Sequence, residues 1–123
     1  MGVRKALKEE FSQVQIIAVE PKESAVMSGG IAGMHSIQGI GDGFIPPIVD
    51  MNCIDEVAVI SSCDAIVRAK RLAKEMGLFV GISSGANVVA AERYIAQHNP
   101  DGIVVTILPD RGERYLSIFC DKH

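Results

Sequence analysis

The sequence predicts an α/β fold, a parallel sheet with helices on both faces. Three short apolar runs rich in Val and Ile, of the kind that form strands buried on both faces of a parallel sheet, provide the first observation. Segments with helical periodicity lie between them, in strand–helix units of roughly 25 to 30 residues, which provides the second. At 123 residues the chain has room for one core, so we expect residues 1–123 to form a single unit. The predicted strands are Gln15–Val19, Asp55–Ile60 and Ile103–Leu108.

The helices are predicted from periodicity and from their end signals. Val3–Phe11 has apolar residues at helical spacing, and Ser61 opens a second helix as a hydroxyl N-cap with Asp64 in its first turn. Gly77 is the expected left-handed C-cap of that helix. A third helix runs from Ala86 to about Gln97 and ends at Asn99-Pro100. The buried face predicted for the second helix consists of Ile66, Ala69, Leu72 or Ala73, and Met76.

Residues 22–53 form a glycine-rich loop region. A loop longer than about 12 to 15 residues without its own secondary structure is usually functional or disordered. The apolar side chains in this loop favour a packed functional loop over a disordered one. They are Ile37, Ile40, Phe44, Ile45 and Ile48.

Composition excludes several classes of function. The formal net charge is −3 with acids and bases interspersed, so neither nucleic acid nor a membrane surface is an expected partner. Three cysteines without a Cys-x-x-Cys pair suggest neither a disulfide framework nor a zinc site, and we expect no metal. No apolar stretch approaches the roughly 20 residues of a membrane span. A cytoplasmic protein fits these observations.

Gly81-Ile82-Ser83-Ser84-Gly85 is the strongest local signal, because a strand-like run ends there and a helix starts. The unpaired N–H groups of a helix start receive an acceptor atom of a ligand well, which makes Ser83 a candidate binding residue. Pattern alone also allows Ser83 or Ser84 to be the helix cap.

Two further segments are candidates. Gly39, Gly41 and Gly43 alternate in the loop, where glycine either lets the backbone approach a flat ligand or serves a tight turn. Pro109-Asp110 follows the third strand, at the sheet edge where ligands of open parallel α/β folds gather. The histidines His35 and His98 are interpreted as structural, since neither belongs to a catalytic or metal-binding pattern.

Four segments together resemble the cysteine synthases, or O-acetylserine sulfhydrylases, in order and spacing: IIAVEP, SGG..GMHSIQGIGDGFIP, GLFVGISSGA and ILPDRGERYLS. The resemblance implies the large domain of a fold-type-II pyridoxal-phosphate (PLP) enzyme, of which this chain would be the C-terminal part. Cystathionine β-synthases, which are close relatives, tend toward other residues in the GIGDGFIP and GISSGA segments, so the cysteine synthases are the better match.

The resemblance implies roles for five residues. Ser83 would hydrogen-bond the pyridine nitrogen of PLP, and Gly39 and Gly41 would border the cofactor and substrate. Pro109 and Asp110 would wall the pyridine edge. In such enzymes O-acetylserine loses acetate to leave an aminoacrylate, and sulfide adds to give cysteine.

The resemblance also implies that the catalytic lysine and the phosphate cradle belong to a region with no counterpart in this chain. No catalytic residue is therefore assigned, and the isolated chain is expected to be inactive, with PLP binding of its own in doubt. None of its lysines lies in a matching motif. They are Lys5, Lys8, Lys22, Lys70, Lys74 and Lys122.

Partners implied by the resemblance are a second copy of the chain and serine acetyltransferase. The alternative to a piece of a synthase is a natural short paralogue that acts as a binding or regulatory module for a synthase or for serine acetyltransferase. A second alternative is a part of a cystathionine β-synthase. Binding of another nucleotide or phosphate is a weaker possibility, because the usual phosphate motifs are absent.

Overall fold

The computed structural model describes residues 1–120. Helix α1 (Gly2–Glu10) leads to strand β1 (Ile17–Pro21), and strand β2 (Glu56–Ile60) pairs with β1 in parallel, with Ile17 opposite Glu56 and Pro21 opposite Ile60. Helices α2 (Ser62–Met76), α3 (Ile82–His98) and α4 (Leu116–Phe119) follow. Single 3-10 turns lie at Lys22–Ser24, Met51–Cys53 and Gly112–Tyr115. The parallel α/β class is confirmed.

Helix α2 has the ends that the sequence predicts. Ser61 is the N-cap, and its side chain accepts a hydrogen bond of 3.1 Å from the backbone N–H of Asp64. Gly77 ends the helix in the left-handed conformation, with φ of +68°. Ala65, Ala69 and Leu72 are buried, but the prediction that Met76 belongs to the buried face is wrong, since it is 62% exposed. Met76 is the last helical residue, and the core is formed one turn earlier.

The core joins the sheet to the start of α3. Ile60 at the end of β2, Ile82 in the first turn of α3 and Tyr115 belong to one cluster of buried side chains. Helix α3 packs against both strands and, along its length, against α2. Gly85 makes the close helix contact possible, because a Cβ at this position would lie 2.1 Å from the carbonyl oxygen of Ala65.

The strand predicted at Ile103–Leu108 is wrong. This segment follows Gly102 as irregular backbone without a ladder to β1 or β2, and Ile103 and Val105 are 94% and 81% exposed. Its one anchoring side chain is Asn87, whose amide nitrogen donates to the carbonyl oxygen of Ile107 at 2.9 Å. An apolar run becomes a strand only when a neighbouring strand takes up its backbone groups, and no strand of the described chain lies beside this run.

The glycine-rich loop is packed in part. Ile37 is fully buried and Ile40 is partly buried against the core cluster, whereas Phe44 and Ile48 are 59% and 78% exposed. The expectation of a packed loop therefore fails for the second half of the segment. Across residues 1–120, no helix is long and apolar enough to cross a bilayer.

Candidate cofactor site

Helix α3 begins at Ile82, and Gly81 is its N-cap. Ser83 and Ser84 therefore lie inside the first turn, and the alternative in which one of them caps the helix is wrong. Gly81 holds this position because the chain returns close to it: a Cβ would lie 2.0 Å from Oδ1 of Asp110. Glycine supplies no capping oxygen, so the first turn keeps unpaired backbone N–H groups.

The two serines of this turn are buried without hydroxyl partners. Ser83 is 6% exposed and Ser84 is inaccessible. Neither hydroxyl forms a hydrogen bond with any residue in the described range 1–120, but only the Ser84 oxygen is fully shielded from solvent, whereas the Ser83 oxygen keeps some access. A fully buried hydroxyl without a partner, as in Ser84, is unfavourable by about 1 to 3 kcal/mol and usually serves a bound molecule or water. The Ser83 hydroxyl is also unpaired within the described residues, and its remaining access lets a ligand reach it. Ser83 keeps its place as the leading candidate for binding.

The turn after residue 108 folds back over the start of α3. The backbone N–H of Gly81 donates to the carbonyl oxygen of Asp110 at 3.0 Å, and the N–H of Gly112 donates to that of Phe79 at 3.1 Å. Val80 and Arg111 form an isolated antiparallel bridge. The structure thus brings Asp110 and the Ser83 turn together although they are far apart in sequence. Pro109 is exposed beside them.

Tyr115 fixes the Asp110 side chain. Its hydroxyl donates to Oδ2 of Asp110 at 2.6 Å, and this hydrogen bond, with a smaller contribution from burial, raises the pKa of Tyr115. The other carboxylate oxygen, Oδ1, is buried and has no partner among the described residues. Sequence reasoning missed Tyr115 and Gly81 as parts of the site. The only available signal was their position within motifs, GERYLS and GISSGA.

The alternating glycines differ in surroundings. Gly39, Gly41 and Gly43 all have positive φ, between +69° and +90°. A Cβ on Gly39 would meet nothing within 4 Å, so a ligand has room to approach there. A Cβ on Gly41 would lie 2.6 Å from Cγ of Pro21, so Gly41 packs inward and is required by the fold. The turn interpretation thus applies to Gly41, and Gly39 remains a predicted ligand contact with open space beside it.

The Gly39 loop rests on the same core as the Ser83 turn. Ile37 is buried in the cluster that contains Ile82 and Tyr115, and Ile40 packs against that cluster. Glu20, 2% exposed, anchors the base of the loop, since its carboxylate accepts hydrogen bonds from the backbone N–H groups of Met27 and Ser28 at 2.8 and 2.9 Å. No hydrogen bond within residues 1–120 joins Gly39 directly to Ser83.

The lysines belong to other parts of the fold. Lys5 and Lys8 lie in α1, Lys22 in the turn after β1, and Lys70 and Lys74 in α2. Lys122 lies outside the described residues. Residues 1–120 hold no group of three His, Cys, Asp or Glu side chains arranged to bind an ion.

A parallel α/β fold with an unpaired serine in the turn that opens a helix, beside a returning turn, is an arrangement in which small-molecule sites are commonly found. The sequence profile of the family described as "Pyridoxal-phosphate dependent enzyme" matches residues 1–110. The chain belongs to this family of PLP-dependent enzymes.

Within this family, the chain is similar to cysteine synthases. Cysteine synthase B of Campylobacter jejuni is 53% identical over 116 residues, which are 94% of this chain and 38% of the relative. A cysteine synthase of Staphylococcus aureus is 43% identical over the same share of the chain and 37% of its own length. The crystal structure of the Entamoeba histolytica cysteine synthase superposes with a TM-score of 0.90 at 44% identity, covering 94% of this chain and 35% of that one. The chain thus spans a little over a third of these relatives.

The residues present fit PLP. Its ring nitrogen is an acceptor for a hydroxyl donor, and Ser83 carries such a donor without a partner among the described residues. Its flat ring needs backbone without side chains beside it, and Gly39 leaves that space open.

Proposed function

We propose that this chain forms the cofactor-facing part of a cysteine synthase, which converts O-acetylserine and sulfide into cysteine and acetate. The observation that carries the proposal is Ser83 in the first turn of α3, a residue only 6% exposed whose hydroxyl lacks a partner in the described part of the chain. The likeness to cysteine synthases from several organisms supports the choice of reaction.

In this proposal the Ser83 hydroxyl donates a hydrogen bond to the pyridine nitrogen and keeps its proton. A neutral hydroxyl does not force that nitrogen to be protonated, as a carboxylate would, so the ring withdraws electrons less strongly. When bound, PLP supplies the electron sink that weakens bonds at the α-carbon of an amino-acid substrate. A milder sink suits replacement of a leaving group at the β-carbon over competing reactions.

The remaining residues shape the space around that contact. The turn at Pro109-Asp110 lies against the edge of the pyridine ring in this proposal. Hydrogen bonds with Gly81 and Tyr115 hold the turn in place. Gly39 lets the loop backbone approach the cofactor and substrate face. Gly41 contributes indirectly, since its close contact with Pro21 sets the course of the loop.

The 123-residue chain by itself is proposed to be inactive. No lysine of its sequence lies in the segments 37–43, 81–85 or 108–115, so none is in place to remove the α-proton or to hold PLP covalently. Titration of the chain with PLP, followed by borohydride reduction, is expected to leave no covalently trapped cofactor. A trapped adduct on one of its lysines would refute this part of the proposal.

A chimera tests the activity. The part of C. jejuni cysteine synthase B that this chain matches is replaced by the chain, and cysteine formation from O-acetylserine and sulfide is measured. We expect an active chimera, and about a fivefold loss of catalytic efficiency in Ser83→Ala, the value for one neutral hydrogen bond. The matched control is Ser117→Ala, on the exposed side of α4. A folded, PLP-loaded chimera without cysteine formation would contradict the proposal.

A second product is worth assaying in the same chimera. An O-acetylserine-dependent cystathionine β-synthase from Helicobacter pylori superposes with a TM-score of 0.83 at 44% identity, over 94% of this chain and 38% of that one. Faster formation of cystathionine from homocysteine than of cysteine from sulfide would favour that activity. An inactive chimera together with binding of the chain to serine acetyltransferase would favour a regulatory module.

A further inference from the structure

The side chain of His35 contacts two points of the glycine loop. Its Nε2 lies 2.9 Å from the carbonyl oxygen of Gly41, and its Nδ1 lies 3.2 Å from the backbone nitrogen of Ile37. The ring is partly buried, in the loop between the 3-10 turn at Lys22–Ser24 and the one at Met51–Cys53. A single side chain thus joins both ends of the segment that contains Gly39.

These two contacts determine where the ring proton lies. A carbonyl oxygen only accepts, so Nε2 must carry a hydrogen, and the Ile37 N–H donates, so Nδ1 must be unprotonated. Only the neutral Nε2–H form of the imidazole satisfies both bonds. We infer that His35 is a positioning residue, which in this form closes the loop between Ile37 and Gly41 and thereby presents the Gly39 backbone to the ligand.

The surroundings make the closure specific. The Gly41 carbonyl oxygen also accepts a hydrogen bond from the Ser24 hydroxyl at 3.4 Å, and the Pro21 ring at the end of β1 occupies the space that a Cβ on Gly41 would need. Ile37 and Ile40 direct their side chains into the core, so residues 38 and 39 project away from it. With both ends fixed, Gly39 holds its φ of +90° beside open space. The ligand-facing backbone is thus shaped before anything binds.

Glu23 is the charged group that faces His35. Its carboxylate accepts the backbone N–H of Ser62 at 2.9 Å, and Ser62 in turn accepts the N–H of Ser36 at 2.9 Å. Burial raises the pKa of Glu23, but the hydrogen bonds from Ser62 and from its own backbone outweigh burial, so the pKa is lowered. Glu23 therefore stays ionised and ties the residue after His35 to the start of α2.

Two substitutions separate the two bonds of the ring. The side-chain oxygen of His35→Asn can accept the N–H of the residue two positions on, as asparagine does in turns, but it is too short to reach Gly41. The amide nitrogen of His35→Gln reaches farther and can donate to Gly41, but offers Ile37 no acceptor at the position of Nδ1. His98→Asn is the matched control, since His98 stacks on Tyr94 at the far end of α3.

The inference rests on the proposed function for what Gly39 faces, and its test needs no cofactor. In the ¹⁵N-labelled 123-residue chain, NMR is expected to show a neutral His35 ring protonated at Nε2 and a slowly exchanging Ile37 amide. His35→Asn should keep Ile37 exchange within about twofold of the parent chain, and His35→Gln should raise it about fivefold, as expected for one lost hydrogen bond. A ring protonated at Nδ1, or an Ile37 amide that exchanges like an unfolded peptide, would overturn the inference.

The same variants in the chimera connect the closure to function. Both are expected to raise KM for O-acetylserine more than they lower kcat, with His98→Asn unchanged. Equal kcat and KM in all three would overturn the positioning role even if the NMR result stands. An inactive parent chimera would count against the proposed function alone, because the NMR result on the chain is independent of it.

Discussion

The start of α3 and the segment after it behave in opposite ways. Residues 82–86, with two serines and a glycine, are entirely buried, whereas 103–108, almost wholly Val, Ile and Leu, is largely exposed. The small residues are buried because they let α2 and the 110–115 turn approach closely and pack around them. The apolar residues have no neighbouring strand or helix over them. Burial thus follows the available packing partners more than side-chain hydrophobicity.

Gly85→Ala should have the largest effect, because it attacks the tightest contact of the buried region. The new methyl group would lie 2.1 Å from the carbonyl oxygen of Ala65 and 2.9 Å from the backbone nitrogen of Ala69. We expect a loss of about 2 to 3 kcal/mol in the free energy of unfolding in urea, although alanine is the better helix former by about 1 kcal/mol. Gly102→Ala, whose Cβ meets nothing, is the control and should stay within about 0.5 kcal/mol. Equal effects would disprove the close-packing account.

Tyr115→Phe should cost about 1 to 3 kcal/mol, because it leaves the Asp110 carboxylate without its donor. The hydrogen bond to Asp110 raises the pKa of Tyr115, so its stabilising contribution is present below about pH 10 and is lost as pH rises through the folded-state value. The free energy of unfolding, measured in urea between pH 8 and 11, should therefore decline more steeply with pH for the parent chain than for the variant. Tyr94→Phe is the control, and a parallel decline in all three would refute the Tyr115–Asp110 pairing.

Asp64→Asn should cost only about 0.5 kcal/mol, since its ion pair with Arg93 is nearly half exposed and screened by solvent. The hydrogen bonds with Ser61 and Arg93 lower the pKa of Asp64. Its contribution is therefore present above the unfolded-state value of about 4 and disappears as pH falls through the folded-state value. In the variant, the free energy of unfolding should fall less steeply as the pH is lowered. Asp101→Asn, at an exposed position, should leave that slope unchanged. An unchanged slope in Asp64→Asn would count against this pair.

Val105→Lys should leave the stability of the chain nearly unchanged, within about 0.5 kcal/mol, because the side chain is already in water. We expect the chain to self-associate through the exposed apolar segment 103–108, and a lysine at position 105 should weaken that association. Sedimentation velocity measures this directly. Val67→Lys, at a half-exposed position of α2, is the matched control. Equal self-association of the two variants would show that the chain does not self-associate through segment 103–108.

Local signals predicted the elements whose causes are local. Ser61, Gly77 and Asn99 end their helices as expected, because capping depends on a few neighbouring residues. Ile103–Leu108 was mispredicted as a strand because pairing depends on a neighbour that the run itself does not specify. Gly81 as the cap of α3 depends on Asp110, far away in sequence, and could not be read from its surroundings.

The candidate site shows the same division. The resemblance pointed to Ser83 and Asp110, and the fold places their turns against each other through Gly81. Which glycine is open and which is packed could not be predicted, since Gly39 and Gly41 differ only in whether Pro21 and His35 stand beside them. Likewise, nothing in the sequence indicated the role of His35, because its hydrogen bonds with the Gly41 carbonyl oxygen and the Ile37 N–H form only once the loop is folded.

The most direct test of the central claim is the ¹⁵N resonance of the pyridine nitrogen in the chimera loaded with ¹⁵N-labelled PLP. The parent chimera should give the signal of an unprotonated, hydrogen-bonded nitrogen, and Ser83→Ala should shift it to that of an unprotonated nitrogen that has lost this bond. If Ser83→Ala, folded and loaded with PLP, leaves the resonance where it was, Ser83 does not face the ring and the proposed site is wrong.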